Sequence, residues 1–279
     1  MLEDAQLLNE LDRIAVAAGH EIMSVYSRTG DVVFSEKADT SPLTEADTRA
    51  NALICDELQA LTPQIPLVSE ETELPAFEQR QQWAEYWLID PLDGTKEFIN
   101  KNGEFTVNIA LIRGGTPVIG VVHAPVTGLS WLGAIGLGAW KRSEGGELES
   151  IRTAALEKDA AQATLRVLAS RRHGEQALES LLAGLGRLYK SIELANMGSS
   201  LKFCALAEGK ADFYPRLAPT SEWDTAAAQA VLEAAGGQVL KTDFSPLRYN
   251  SKKDILNPSF LAIGDPRGDW QCKLANLLP

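Results

Sequence analysis

Trp87-Leu88-Ile89-Asp90-Pro91-Leu92-Asp93-Gly94-Thr95 carries an apolar strand into an acidic turn. The pattern predicts that the strand ends at Asp90, because Pro91 has no N–H for a ladder and Asp93-Gly94 favours a tight turn. Two aspartates on either side of such a turn can converge on one point. Lys96-Glu97-Phe98-Ile99 is expected to begin a short helix, whose unpaired backbone N–H groups would face the same point and suit a phosphate. Taken alone, Asp-x-x-Asp-Gly is also the pattern of an Asx-turn capping a helix.

Two further acid clusters sharpen the choice. Ile65-Pro66-Leu67-Val68-Ser69 reads as a strand and runs into Glu70 and Glu71, while Glu222-Trp223-Asp224 precedes a strongly apolar helix and places Asp224 at its N-cap. Capping accounts for a lone Asp224. It does not account for three acid clusters, each at the end of an element. If they meet, two like charges about 4 Å apart repel by roughly 4 kcal/mol at an effective dielectric near 20, so the group requires a cation or reprotonates. Oxygen ligands without His or Cys favour Mg²⁺ over Zn²⁺. His20, His123 and His173 show no ligand spacing and are read as structural or peripheral.

The totals agree with an ordinary soluble globular protein. A chain of 279 residues that is 45% hydrophobic can bury a full core as one large domain or two modest ones. No apolar run approaches the roughly 18 residues of a membrane span. Leu7, Leu8, Leu11, Ile14, Ala15, Ala18 and Ile22 recur at helical spacing, which predicts an amphipathic helix rather than a signal peptide. Cys55, Cys204 and Cys272 are scattered, which points to buried thiols in a reducing cytoplasm. A net charge of −12 disfavours a nucleic-acid polymer as partner, although a metal and a few cations can still create a site for a small anion.

Along the chain, Leu43–Leu61 reads as a second helix. Ile65–Ser69, Tyr86–Asp90, Thr106–Ile112, Val118–His123 and Leu129–Gly133 read as strands, with a hairpin turn at Arg113-Gly114-Gly115-Thr116. The weakly patterned stretch 145–163 is taken as a boundary between an N-terminal domain (1–150) carrying most of the acids and a C-terminal α/β domain (151–279) carrying Asp224. Beyond it strands and helices alternate: Leu165–Ala169, Glu175–Leu185, Ser191–Leu194, Ser199–Glu208, Ala211–Tyr214 and Thr225–Ala235, the last closed by Gly236-Gly237. The expected fold is α/β (α+β), with sheets between helical layers.

Asp90-Pro91-Leu92-Asp93-Gly94-Thr95, the upstream Ser69-Glu70-Glu71 and the downstream Trp223-Asp224-Thr225-Ala226-Ala227 together resemble the inositol monophosphatase superfamily. The likeness extends from Thr44-Glu45-Ala46-Asp47 to the final helix. It implies a layered αβαβα sandwich and lithium-sensitive, Mg²⁺-dependent phosphatase activity. Within that superfamily, Thr95–Ile99, Asn102–Ala110 and Tyr214-Pro215-Arg216 with Pro219–Asp224 resemble the 3′(2′),5′-bisphosphate nucleotidases of the CysQ type. Hydrolysis of adenosine 3′,5′-bisphosphate, and of its phosphosulfate analogue, to clear a by-product of sulfate assimilation is what this implies. The implied location is the cytoplasm, with peripheral attachment at the cytoplasmic face of the inner membrane left open.

The resemblance also implies roles. Glu70, Asp90 and the Leu92 carbonyl would hold one Mg²⁺, and Asp90 would bridge to a second held by Asp93 and Asp224. Glu70, Leu92, Asp93, Gly94, Thr95 and Asp224 would touch the substrate, and Glu70 with the Asp47–Thr95 pair would position and deprotonate the attacking water. Lys202, in the helix opened by Gly198-Ser199-Ser200, and Arg216 are candidates for the second phosphate, against the alternative of solvated surface cations. Arg171-Arg172-His173 departs from the Ser-Arg-Ser-His of these nucleotidases. The shared motifs fix the reaction and not the alcohol that leaves, so inositol monophosphatase and fructose-1,6-bisphosphatase activities stand as alternatives, with a non-catalytic Mg²⁺- or phosphate-binding protein as a third.

Overall fold

A computed structural model describes residues 3–29, 33–36, 42–169 and 175–278. In chain order the elements are α1 (Asp4–Tyr26), β1 (Phe34–Glu36), β2 (Pro42–Thr44), α2 (Glu45–Leu61), β3 (Leu67–Ser69), α3 (Phe77–Arg80), β4 (Glu85–Asp93), α4 (Thr95–Ile99) and β5 (Thr106–Arg113). Then come β6 (Thr116–Ala124), β7 (Leu129–Ala134), β8 (Gly138–Ser143), β9 (Glu149–Ile151), β10 (Thr164–Ala169), α5 (Glu175–Leu185), β11 (Ser191–Asn196) and α6 (Leu201–Ala207). The chain closes with β12 (Phe213–Arg216), α7 (Ala226–Ala234), β13 (Gln238–Lys241), β14 (Phe260–Ile263) and α8 (Trp270–Leu274).

Three apolar clusters define five layers. The stripe of α1, including Leu11, Ile14, Ala18 and Ile22, packs with α2 on one face of a seven-stranded sheet ordered β3-β4-β5-β6-β7-β8-β9. Every pairing in that sheet is antiparallel except β3 with β4. Its other face meets α6 and α7, which also cover a second sheet ordered β11-β10-β12-β14-β13. Leu181, Leu185, Trp270 and Leu274 of α5 and α8 seal the far face of that sheet. The result is the αβαβα sandwich. The central cluster draws on both halves of the chain, from Val68 and Leu88 to Phe203 and Val231. Among the described residues no helix is long and apolar enough to cross a membrane.

Some element boundaries shift, and the cysteines and histidines take definite places. Helix α2 starts at Glu45 rather than Leu43, because Pro42–Thr44 pairs with β1; Thr44 then caps the helix in a reciprocal box with Asp47. The stretch 145–163 supplies β9, the last strand of the first sheet. Of the cysteines only Cys204 is buried, while Cys55 is half-buried and Cys272 exposed. His123 is buried against Gly19 and held at about pKa 4 by that burial, and the exposed His20 pairs with Glu144. His173, with Arg171 and Arg172, lies outside the described residues.

The seating of α7 matters most for the site. Its Ala-rich sequence favours helix, and it ends in a Schellman turn in which Gly236, at φ +103°, and Gly237 donate to the carbonyls of Glu233 and Leu232. Gly120 and Gly133 face each other across β6 and β7. A Cβ on Gly120 would collide with the Ala227 carbonyl oxygen, and one on Gly133 would stand 2.5 Å from the Cα of Val231. The bare sheet and the small helix thus meet backbone to backbone.

Candidate metal centre

Strand β4 does not stop at Asp90. Asp90 pairs with Asn108 and Asp93 with Thr106, with a register shift between them. Pro91 and Leu92 therefore stand opposite one residue of β5, a bulge that accommodates the proline's missing N–H. In an unbroken strand Asp90 and Asp93 would lie on opposite faces; the extra residue turns both to the same one. Gly94, at φ +99°, then reverses the chain into α4.

Neighbouring elements bring in the other acids. The Glu70 N–H donates to the Ile89 carbonyl at 3.1 Å, extending the β3–β4 pairing and setting Glu70 beside Asp90. Asp224 stands one residue before the N-cap of α7, which is Thr225 and not Asp224. Its Oδ2 instead accepts the Ser221 N–H at 2.9 Å. One carboxylate oxygen each from Glu70, Asp90 and Asp224 lie within 4.8 Å of one another. Asp93 stands beside this triplet, its Oδ2 accepting the Ser200 N–H at 2.7 Å, with Thr106 Oγ1 and Asn108 Nδ2 each at 3.5 Å.

A common pattern emerges. Asp90 Oδ1 accepts the Leu92 N–H at 3.0 Å, so all three aspartates have one oxygen held by a backbone amide. Such outer contacts orient a carboxylate for a ligand. Asp90 is 1% exposed, and its Oδ2 is buried with no hydrogen-bond partner. Burial, followed by the charges of Glu70, Asp93 and Asp224, raises the Asp90 carboxyl well above the usual range. Burial likewise raises Asp224, with Asp93 and Glu70 adding to it, and Asp93 is pushed up to about 6 although Lys202 opposes the shift. An orphaned oxygen amid crowded carboxylates is the donor set of a hard divalent cation, so the residues present fit Mg²⁺.

The expected Asp47–Thr95 pair is formed: Thr95 Oγ1 donates to Asp47 Oδ1 at 3.2 Å and lies 3.3 Å from the Leu92 carbonyl. Asp47, almost fully buried, is fixed through Oδ2 by the N–H and hydroxyl of Thr44. Two cavities meet at Asp93 and Asp224. Both include Arg216; one is further lined by Glu70, Asp90, Leu92, Thr95 and Ser221, and the other, of about 190 Å³, by Ser199, Lys202 and Tyr214. Lys202 and Arg216 are not solvated surface cations, being 5% and 9% exposed. Lys202 Nζ donates to the Met197 and Ser199 carbonyls at 3.1 and 2.7 Å, and Arg216 to those of Ala218 and Pro219 at 3.0 and 2.9 Å. Helix α6 begins at Leu201 rather than Ser199, since Ser199 is left-handed at φ +41°.

The sequence pattern of the inositol monophosphatase family matches residues 4–273. The chain belongs to that family. It is 46% identical over 254 residues to the 3′(2′),5′-bisphosphate nucleotidase CysQ of Escherichia coli K12, covering 91% of this chain and 98% of that protein. Among solved structures it resembles CysQ from Bacteroides thetaiotaomicron, described as a bacterial member of the inositol monophosphatase family. That match has a TM-score of 0.77 and 40% identity over 91% of this chain and 96% of that one. Inositol monophosphatase from Anabaena, 24% identical with a TM-score of 0.75 over 99% and 97% of the two chains, shares the fold.

Sequence reasoning missed the donors behind the acids. Thr106 and Asn108 alternate with Val107 and Ile109 along β5 and are buried. Polar residues at period two in a strand buried on both faces were the available signal. Ser200 and the Ser221 amide carried no such signal, because their role depends on contacts distant in sequence.

Proposed function

We propose that the protein is a Mg²⁺-dependent 3′(2′),5′-bisphosphate nucleotidase that hydrolyses adenosine 3′,5′-bisphosphate to AMP and phosphate. The observation that carries this reading is the meeting of Glu70, Asp90 and Asp224 beside Asp93, next to a cavity holding two buried cations. The likeness to proteins named as CysQ nucleotidases supports the choice of substrate. Residues 1–150 would supply most of the site, and 151–279 Asp224 and the recognition side chains.

Glu70, Asp90 and the Leu92 carbonyl would hold one Mg²⁺, and Asp90, Asp93 and Asp224 a second. When bound, Mg²⁺ supplies Lewis-acid charge for a water and for the phosphoryl oxygens. The chain's own residues do the rest. Thr95 donates its proton to Asp47, which leaves Thr95 Oγ as an acceptor that orients a water for attack on phosphorus. Glu70 provides the carboxylate that takes the water's proton. The water oxygen bonds to phosphorus as the bond to the ribose 3′ oxygen breaks, and that oxygen takes a proton from solvent water and leaves as the hydroxyl of AMP. Lys202 and Arg216, in the adjoining cavity, match the charge of the phosphate that stays.

The test is phosphate release from adenosine 3′,5′-bisphosphate and from inositol 1-phosphate, alone and in competition, with and without Mg²⁺. A preference for the bisphosphate that disappears on chelation is expected. Equal or greater activity towards inositol 1-phosphate would instead assign the protein to the monophosphatase branch.

A further inference from the structure

Ser200 is 1% exposed, and its hydrogen bonds run to two acids on different elements, Asp93 at the end of β4 and Asp224 in the turn before α7. Its N–H donates to Asp93 Oδ2 at 2.7 Å, and its hydroxyl donates to the Asp224 backbone carbonyl at 2.7 Å. The direction of the second bond is forced, because a carbonyl only accepts. The Ser200 oxygen must therefore receive the Asn108 Nδ2 proton, at 3.0 Å, which turns Asn108 Oδ1 towards the Thr106 hydroxyl, at 3.1 Å. The two bonds through the Ser200 oxygen thus run in one sense only.

The approach to Ser200 is held in place as well. Ser199 is left-handed without being glycine, a conformation that persists only where the surroundings impose it. Lys202 donates to the carbonyls of Met197 and Ser199, on either side of this turn. The turn so fixed presents the Ser200 amide to Asp93.

We propose that Ser200 is the positioning residue that sets the separation of Asp93 and Asp224, its amide orienting one carboxylate and its hydroxyl anchoring the main chain of the other. It is buried behind the two carboxylates and lines neither cavity. The inference rests on the reading of Asp93 and Asp224 as ligands to one Mg²⁺, but not on the identity of the substrate.

The test uses the full chain without substrate. Mg²⁺ binding is followed by calorimetric titration and Mn²⁺ binding by electron paramagnetic resonance of the free ion, alongside thermal unfolding in chelator. Ser200→Ala keeps the amide and removes the hydroxyl; its Kd for both ions should rise about ten- to hundredfold. Ser200→Thr, which restores a hydroxyl, should recover most of that loss, and metal-free melting should change little. An unchanged Kd in Ser200→Ala, with or without a lower melting temperature, overturns the proposal and leaves Ser200 a packing residue. If the wild-type protein binds neither ion, the metal site and this inference fail together. If it binds Mg²⁺ normally but does not cleave adenosine 3′,5′-bisphosphate, only the substrate reading fails.

Discussion

Asp90 and Asp93 owe their geometry to their own strand, whereas Asp224 owes its geometry to packing far away in sequence. The bulge at Pro91-Leu92 turns the first two to one face within a single element. Asp224 reaches the same point because α7 sits on Gly120 and Gly133 and because Ser200 holds its carbonyl. The first arrangement tolerates change elsewhere as long as β4 and β5 pair. The second transmits any shift of α7 directly to the Asp224 carboxylate. A site shared between β4 and the start of α7 is thus built from one locally determined half and one that only the assembled layers can place.

The largest expected effect comes from breaking the local half. Asp90→Asn removes the charge assigned to both ions while keeping the acceptor for the Leu92 N–H. Loss of several kcal/mol of transition-state stabilisation predicts a fall in kcat of about 10³-fold or more. Near-normal kcat in a folded variant would contradict the bridging role.

Disturbing the long-range half should act through structure first. In Gly120→Ala the new methyl meets main chain, which cannot rotate away. Overpacking costs about 1–3 kcal/mol, or roughly 2–4 °C in Tm for each kcal/mol. Because α7 carries Asp224, Mg²⁺ affinity should weaken as well. Calorimetry and metal titration of the same sample check both, and unaltered Mg²⁺ affinity alongside a lowered Tm would uncouple the seat of α7 from the ligand.

A third pair of variants separates recognition from chemistry. Lys202→Ala removes one charge-assisted contact, worth about 1.5–3 kcal/mol, so kcat/KM for adenosine 3′,5′-bisphosphate should drop roughly ten- to hundredfold. Inositol 1-phosphate, which has no second phosphate, should lose far less, only what loosening of the Ser199 turn costs. Thr95→Ala should depress both substrates in proportion. Equal losses on both substrates in Lys202→Ala would make that lysine a support for the Ser199 turn and nothing more.

The smallest effect concerns the buried segment leading to Asp224. Burial pushes the Glu222 carboxyl up to about 7 from an ordinary value of 4.5, against the Asn250 N–H and Arg80. Between those values the folded protein keeps a proton that the unfolded chain has released, so this contribution to stability is present below about pH 4.5 and lost as pH rises through 7. Glu222→Gln should flatten that decline, by on the order of 2 kcal/mol between pH 5 and 8. Parallel stability profiles for variant and wild type would remove Glu222 from the account.

The chain itself determined which residues could form the site and what chemistry they suit. Acids after β3, within β4 and before α7 are visible as letters, because each interrupts an apolar pattern at an element end. Helical and strand periods likewise marked most elements, since burial of one face imposes them on the sequence. Only the tertiary structure decided that β4 runs on past Pro91, that Thr225 rather than Asp224 caps α7, and that Lys202 and Arg216 are buried. It alone showed the donors behind the carboxylates, Ser200 and Asn108 among them. The physical reason is the range of the interactions: periodicity and turn chemistry act between near neighbours along the chain. The distance between Asp93 and Asp224 instead depends on a glycine seat and a serine hydroxyl whose partners meet only when the layers close.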